Sequence, residues 1–435
     1  MKRIIFFMCF IASQAFAFVF STEEIQRLQE NFFANIQSSG AIIASPSDKR
    51  PNYYFDWVRD SAIAMNLIET WYETSSSAKE KDSYQHYLKT YIAWTERIQQ
   101  QSDPLPGQDI LGEPKFYLSG LPFEAPWGRP QNDGPALRAL VLIRFSNELL
   151  VNKQDIAYIK THLYNASMEP SRMGVIKRDL EYVAHHWQEP NFDLWEEVYG
   201  HHFFTIMAQQ KALIEGAELA NRLDDKPAAI FYKKQAHLIQ QRLYEHLDYE
   251  NTLIQATLAP HPGPQKTLEL DSSVILALLM HPHKEGVFSP ADPFVQNTIK
   301  ALHQQFNEMF PINNNAADAI LFGRYPGDSY DGYSTNSVGN PWFILTATMA
   351  EYYYSLADSL LADTQNKGQA LAYVQLGDNY LELIKHYAPD LKLGEQINLN
   401  TGEQQGAVSL TWSYVSVLRA IHLREQLKNK KGLAI

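Results

Sequence analysis

Apolar residues recur every three or four positions through most of this chain. The helical period runs through the stretches 22–36, 60–73, 82–100, 134–150, 171–185, 202–221, 226–245, 269–280, 292–308, 343–362, 367–387 and 407–427. Strict apolar–polar alternation, the mark of a half-buried strand, is scarce. The pattern predicts about a dozen amphipathic helices and little sheet. Between them lie the segments 101–132, 186–199, 309–341 and 388–406, rich in Gly, Pro, Asn and Trp and without any period. Long structured loops on a helical scaffold usually carry function.

No linker, low-complexity block or composition break divides the chain. Helices without a parallel-sheet pattern fit a solenoid or a closed ring of hairpins. No tandem repeat of about 30–50 residues is visible, which counts against an open array. The expected fold class is therefore all-α. The expected architecture is a closed toroid whose rim loops form a pocket at one end.

Composition sharpens this picture. The chain has 435 residues, 45% hydrophobic and 20% charged, enough for a sizeable core. Its start reads as a secretory signal: Lys2 and Arg3, a short apolar run, then the small-x-small site Ala15-Phe16-Ala17. We expect export, secreted or periplasmic, with cleavage after Ala17 and residues 18–435 as one domain. The only cysteine, Cys9, lies inside that signal. The processed chain would have no disulfide and no thiolate chemistry.

The net charge of −12 becomes −14 when residues 1–17 leave, because they carry Lys2 and Arg3 and no acid. So acidic a chain argues against nucleic acid or anionic membrane as a partner. It suits a neutral substrate. Tyrosines and tryptophans in polar stretches suit sugars, since their flat faces stack on pyranose rings and their polar tips bond to hydroxyls.

The candidate chemistry sits in five loops. In the 51–60 segment Arg59 adjoins Asp60, a pair able to fix neighbouring sugar hydroxyls. The same pair also fits a helix first turn with a surface partner. Trp127 opens a Gly/Pro-fixed loop, 127–135, that also reads as a helix entry. Asp193-Leu194-Trp195-Glu196-Glu197-Val198 has the spacing of a capping box as well as a cluster of acids. Arg324, Asp328 and Trp342 lie in a fourth loop and Glu395 in a fifth. No phosphate loop, G-x-G-x-x-G or G-x-S-x-G occurs. The pairs His185-His186 and His201-His202 lack the H-E-x-x-H frame, so neither a metal nor a cofactor is expected.

Taken together, "YYFDWVRDS", "GEPKF", "WGRPQNDGPALRA", "DLWEEVYG", "GRYPGD", "GNPWF" and "EQINLNTGEQ" before "LTWSY" resemble glycoside hydrolase family 15, the glucoamylases. The similar segments run in the family's order from about residue 45 to 420. The resemblance implies an (α/α)6 toroid of six hairpins. It also implies inverting release of β-glucose from the non-reducing ends of α-1,4-glucans. By the same resemblance Glu196 is the general acid and Glu395 the general base. Arg59 and Asp60 clamp the terminal glucose. Trp127, Trp195, Glu197, Arg324 and Trp342 line the pocket, Tyr53 sits beside the catalytic water, and Asp328 is a polar contact at the rim.

The chemistry agrees. Inversion needs an acid on one face and a base on the other, about 6.5–9.5 Å apart, with water between. Asp193 is a rival catalytic carboxylate. On a helix it would share a side with Glu196, so we expect it to cap that helix instead.

Three departures from the family pattern stand out. His201 and His202 replace small residues, which predicts narrower outer subsites. Val408-Ser409 replaces an Arg-Asp pair that supports the base loop. The sequence also shows neither a starch-binding module nor an N-terminal β-sandwich, and poor attack on raw granules is expected. The substrate expected is an α-glucan or malto-oligosaccharide, taken by a monomer. An α-1,6-glucosidase or a trehalase on the same scaffold, or an inactive sugar-binding protein, are the alternatives.

Overall fold

Six helices of the computed structural model are buried on nearly every side: Val58–Thr74, Asp133–Val151, Phe203–Arg222, Ser273–Met280, Phe343–Leu360 and Thr411–Asn429. The structure describes residues 18–151, 155–258, 270–280, 288–314, 316, 318–361 and 366–430. A helix apolar all round must be wrapped by others. Each of the six packs on the next in sequence, and the last packs on the first. That closes a ring. Outside it, Thr22–Phe33, Ala78–Ile98, Val175–His186, Lys226–Tyr244 and Lys367–Tyr387 lie against inner helices, and Pro293–Met309 lies against the short strand Leu253–Ile254. The result is the (α/α)6 toroid. One continuous apolar core runs through it.

The outer helices show why sequence period located them. Pro293–Met309 buries Val295, Thr298, Ile299, Leu302 and Phe306 and leaves its other face wet. Asp292 caps it, accepting the Phe294 N–H at 2.8 Å, and Pro293 sits where a missing N–H costs nothing.

Some boundaries differ from expectation. The helix expected at 171–185 starts at Val175, because Pro170–Arg172 forms a tighter turn and Gly174 takes a positive φ of 75°. The helix expected at 269–280 is Ser273–Met280 among the described residues; residue 269 lies outside them, as does the expected signal at 1–17. Among the described residues no helix is long and apolar enough to cross a membrane.

Short antiparallel ribbons, too brief to leave an alternating pattern, shape the rim. Asp56–Trp57 pairs with Lys115–Phe116, setting Trp57 opposite Lys115. Asn191–Phe192 pairs with Tyr199–His202, which pairs in turn with Thr257–Leu258.

Candidate active site

The inner helices all begin at one end of the ring. The segments leading into the first, second, third, fifth and sixth line a single cavity of about 370 Å³. The fourth contributes Asp271, whose carboxylate accepts the Trp195 indole N–H at 3.0 and 3.1 Å. Helix N-termini carry partial positive charge, so this end of the ring favours carboxylates. Below the cavity the ring is filled with side chains, starting with Ile344 and Trp412, which leaves one mouth. A larger groove of about 660 Å³ lies between Phe203–Arg222 and Lys226–Tyr244 and holds none of the residues discussed here.

Tyr53, Arg59, Asp60, Trp127, Trp195, Glu196, Glu197, Arg324, Trp342 and Glu395 converge on the cavity wall. Glu196 and Glu395 come from the segments before the third and sixth inner helices. Three steps round a ring of six is across it.

Glu196 sits in a turn, not at a helix start. The capping-box spacing misled: "DLWEEV" joins the strands Asn191–Phe192 and Tyr199–His202 as a hairpin. Glu196 takes a positive φ of 66°, a conformation that branched or bulky residues rarely tolerate. Asp193 is buried in the turn and ties it together. Its Oδ1 accepts the Glu197 N–H at 2.7 Å and the Val198 N–H at 3.0 Å, while its carbonyl accepts the Glu196 N–H at 2.9 Å. Asp193 therefore does the holding expected of it, on a hairpin rather than a helix, and does not line the cavity.

Three donors bear on one oxygen of Glu196. The Trp57 indole N–H reaches Oε1 at 2.8 Å, Gln131 Nε2 at 2.9 Å, and Arg59 Nη2 lies 3.7 Å away. The other oxygen, Oε2, is left to the cavity. Arg59 is itself fixed by Gln131 Oε1 at 2.8 Å and Asp133 Oδ2 at 3.0 Å, so it is a buried hub and no surface partner. Asp60 lines the cavity beside it. Burial raises the Asp60 carboxyl to about 6, with Arg59 opposing.

Glu395 is fully buried. Its Oε1 accepts the Tyr53 hydroxyl at 2.9 Å and its Oε2 the Ala407 N–H at 3.0 Å. Burial pushes its carboxyl up to about 7, against the Ala407 and Tyr53 hydrogen bonds and the Arg324 charge. Tyr53 is held far above its usual range, mainly by burial, and stays a donor. The Tyr330 hydroxyl lies 2.9 Å from the Tyr53 hydroxyl. Gly406 closes over Glu395: a Cβ there would stand 2.1 Å from Glu395 Oε2, and its φ is +81°. The missing Arg-Asp pair is made good by the N-terminal segment. Val408 N–H donates to Ser47 Oγ at 3.2 Å, and Asn35 Nδ2 donates to the Ser409 carbonyl at 2.9 Å.

Arg324 joins the second acid of the motif to the rest. Its Nη2 donates to Glu197 Oε1 at 2.8 Å, and Tyr325 Oη donates to Glu197 Oε2 at 2.5 Å. Asp328 holds the guanidinium from behind at 2.8 and 2.6 Å, a fork-on-fork pair. The expectation of a rim contact fails for Asp328. It is buried and absent from the cavity wall, because Gly339 packs so close that a Cβ there would fall 2.5 Å from its Cγ.

Neither His201 nor His202 lines this cavity. His202 turns into the packing, its Nδ1 3.0 Å from Thr257 Oγ1 and its Nε2 2.9 Å from the Asn191 carbonyl.

Sequence reasoning assigned no role to Trp57, Gln131, Tyr330 or Trp412. Trp57 and Gln131 stand inside motifs already recognised, and their donor groups were the signal available.

The family described as Glycosyl hydrolases family 15 matches residues 27–422. A glucoamylase of Blastobotrys adeninivorans is 34% identical over 92% of this chain and 70% of its own length. A probable glucoamylase of Schizosaccharomyces pombe is 32% identical over 89% of this chain and 86% of its own. The solved glucoamylase of Saccharomycopsis fibuligera superposes with a TM-score of 0.81 at 28% identity, covering 94% of this chain and 95% of that one.

Proposed function

The chain belongs to glycosyl hydrolases family 15, and within this exo-acting glucoamylase we propose that Glu196 is the general acid and Glu395 the general base. The observation that carries this is their placement: two carboxyl groups on opposite sides of a one-mouthed pocket, each with its own hydrogen-bond cradle.

A pocket with one mouth admits a chain end and no chain middle, so glucose leaves one unit at a time. Arg59 and Asp60 beside Glu196, and Arg324 with Glu197, offer charged donors and acceptors to the terminal ring. Trp127, Trp195 and Trp342 offer flat faces. Glu196 gives the proton from Oε2 to the leaving glycosidic oxygen. Glu395 takes a proton from a water that attacks the anomeric carbon from the far side. The C1–O bond breaks as the water–C1 bond forms, and α-glucoside becomes β-glucose. Asp193 acts only through the turn, and Asp328 through Arg324.

The substrate is an α-glucan, with terminal α-1,4 bonds cut and α-1,6 bonds cut more slowly. The protein works after export, a reading supported by the n-region, apolar run and Ala15-Phe16-Ala17 site, and it works as a monomer. The mass of the exported chain, which should begin at Phe18, tests that part. For the catalytic pair, E196Q and E395Q should each lower kcat on maltotriose at least about a thousandfold, yet bind maltose as the parent does. Near-normal turnover in either variant would overturn the assignment.

A further inference from the structure

Lys115 is 2% exposed, and its ammonium meets aromatic faces in place of water. Its Nζ lies 3.6 Å from the ring centroid of Trp127, 4.1 Å from Phe123, 4.2 Å from Phe55 and 4.4 Å from Trp57. No carboxylate pairs with it within 4.0 Å among the described residues. Glu113, two residues earlier, is occupied by Arg129 and by the Lys115 backbone N–H at 3.2 Å. Burying an ammonium carries a desolvation cost that the four ring faces offset only in part. A cage of that kind around methionine would pack as well at no such cost. The charge therefore calls for a reason.

Two of the four rings, Trp57 and Trp127, reach the cavity. Trp57 faces Lys115 across the ribbon and donates its N–H to Glu196 Oε1 at 2.8 Å. Trp127 forms part of the cavity wall. The charged groups that act on Lys115 are Glu196, Arg129 and Glu113, with Glu196 first among them. Those around Glu196 are Arg59, Asp60 and Lys115.

Resting on the reading of Glu196 as the acid, we propose that Lys115 is a positioning residue that stabilises the carboxylate Glu196 becomes as its proton passes to the leaving oxygen. Trp57, which touches both, sits between the two and keeps water from screening them. Burial lowers Lys115 to about 8, with Glu196 opposing, so it is charged at neutral pH and below. A departing group that needs no proton would draw nothing from this arrangement.

K115M keeps the stem and fills the cage without the charge. We expect kcat on maltose to fall about tenfold or more, against less than about threefold on 4-nitrophenyl α-glucoside, whose phenolate leaves unaided. The basic limb of kcat/KM on maltose should also move to higher pH. A merely structural lysine would lower kcat and leave that limb in place. Equal losses on the two substrates, no loss at all, or an unmoved limb would overturn the proposal. If K115M does not accumulate folded, K115Q is read in the same way. E196Q on the same substrates separates the two claims. If it spares 4-nitrophenyl α-glucoside while K115M fails to, Lys115 is misassigned. If it loses both substrates equally, the acid itself is misassigned.

Discussion

The two carboxyl groups proposed for catalysis are held in opposite ways. Glu196 rides on a hairpin turn and keeps 19% of its side chain exposed. Its donors, Trp57, Gln131 and Arg59, belong to other segments and all address one oxygen. Glu395 is shut in, with both oxygens engaged and a glycine pressed against it. The acid must release and regain a proton at a group that changes every turnover, so one oxygen stays open. The base must keep a single water in one place, so its enclosure is tight and its ionisation is set by burial. This contrast predicts different failures on the two sides.

Among changes to the surroundings of the two carboxyl groups, the largest effect should come from crowding Glu395. G406A puts a Cβ 2.1 Å from Glu395 Oε2 and also strains a left-handed backbone. A displacement near 1 Å costs about a hundredfold in rate. The loss should be equal on maltose and on 4-nitrophenyl α-glucoside, since every substrate needs the water activated. Steady-state kinetics on the pair checks this, and a loss confined to maltose would place Gly406 with the acid.

Next comes ionisation. The base works only when ionised, and its carboxyl is raised to about 7, so kcat/KM should fall as pH drops through that value. Y53F removes a hydrogen bond that favours the ionised form. The acidic limb should therefore shift to higher pH, with a loss near tenfold at pH 6, the basic limb staying where it was. Smallest is Q131L on the acid side. It removes one donor from Glu196 Oε1 and one acceptor from Arg59. A net loss of about 1 kcal/mol, several-fold in kcat, should appear on maltose and be weak on the activated glucoside.

How far the sequence could be read follows the same division. The helices were legible because each buries a stripe or a whole surface, and that leaves a period; Ser273–Met280 is apolar throughout. The loops were legible as motifs but not as shapes. Asp193 and Glu196 have capping spacing, and nothing in one dimension says that Glu196 takes φ +66° in a hairpin. Asp328 read as a rim contact because its burial depends on Gly339, eleven positions later. Lys115 went unassigned because its cage draws on Phe55, Trp57, Phe123 and Trp127, gathered by a ribbon two residues wide and by the Phe123 N–H bond to the Lys115 carbonyl. Period survives in sequence; convergence of side chains from separate segments does not.

The central claim is that Glu196 and Glu395 act on opposite faces of one glucose. The most direct test is the anomer first released from maltotriose, followed by proton NMR before mutarotation sets in. The account predicts β-glucose alone at early times. Early α-glucose would contradict it, because retention needs a nucleophile on the protein at the face where Glu395 is proposed to activate water.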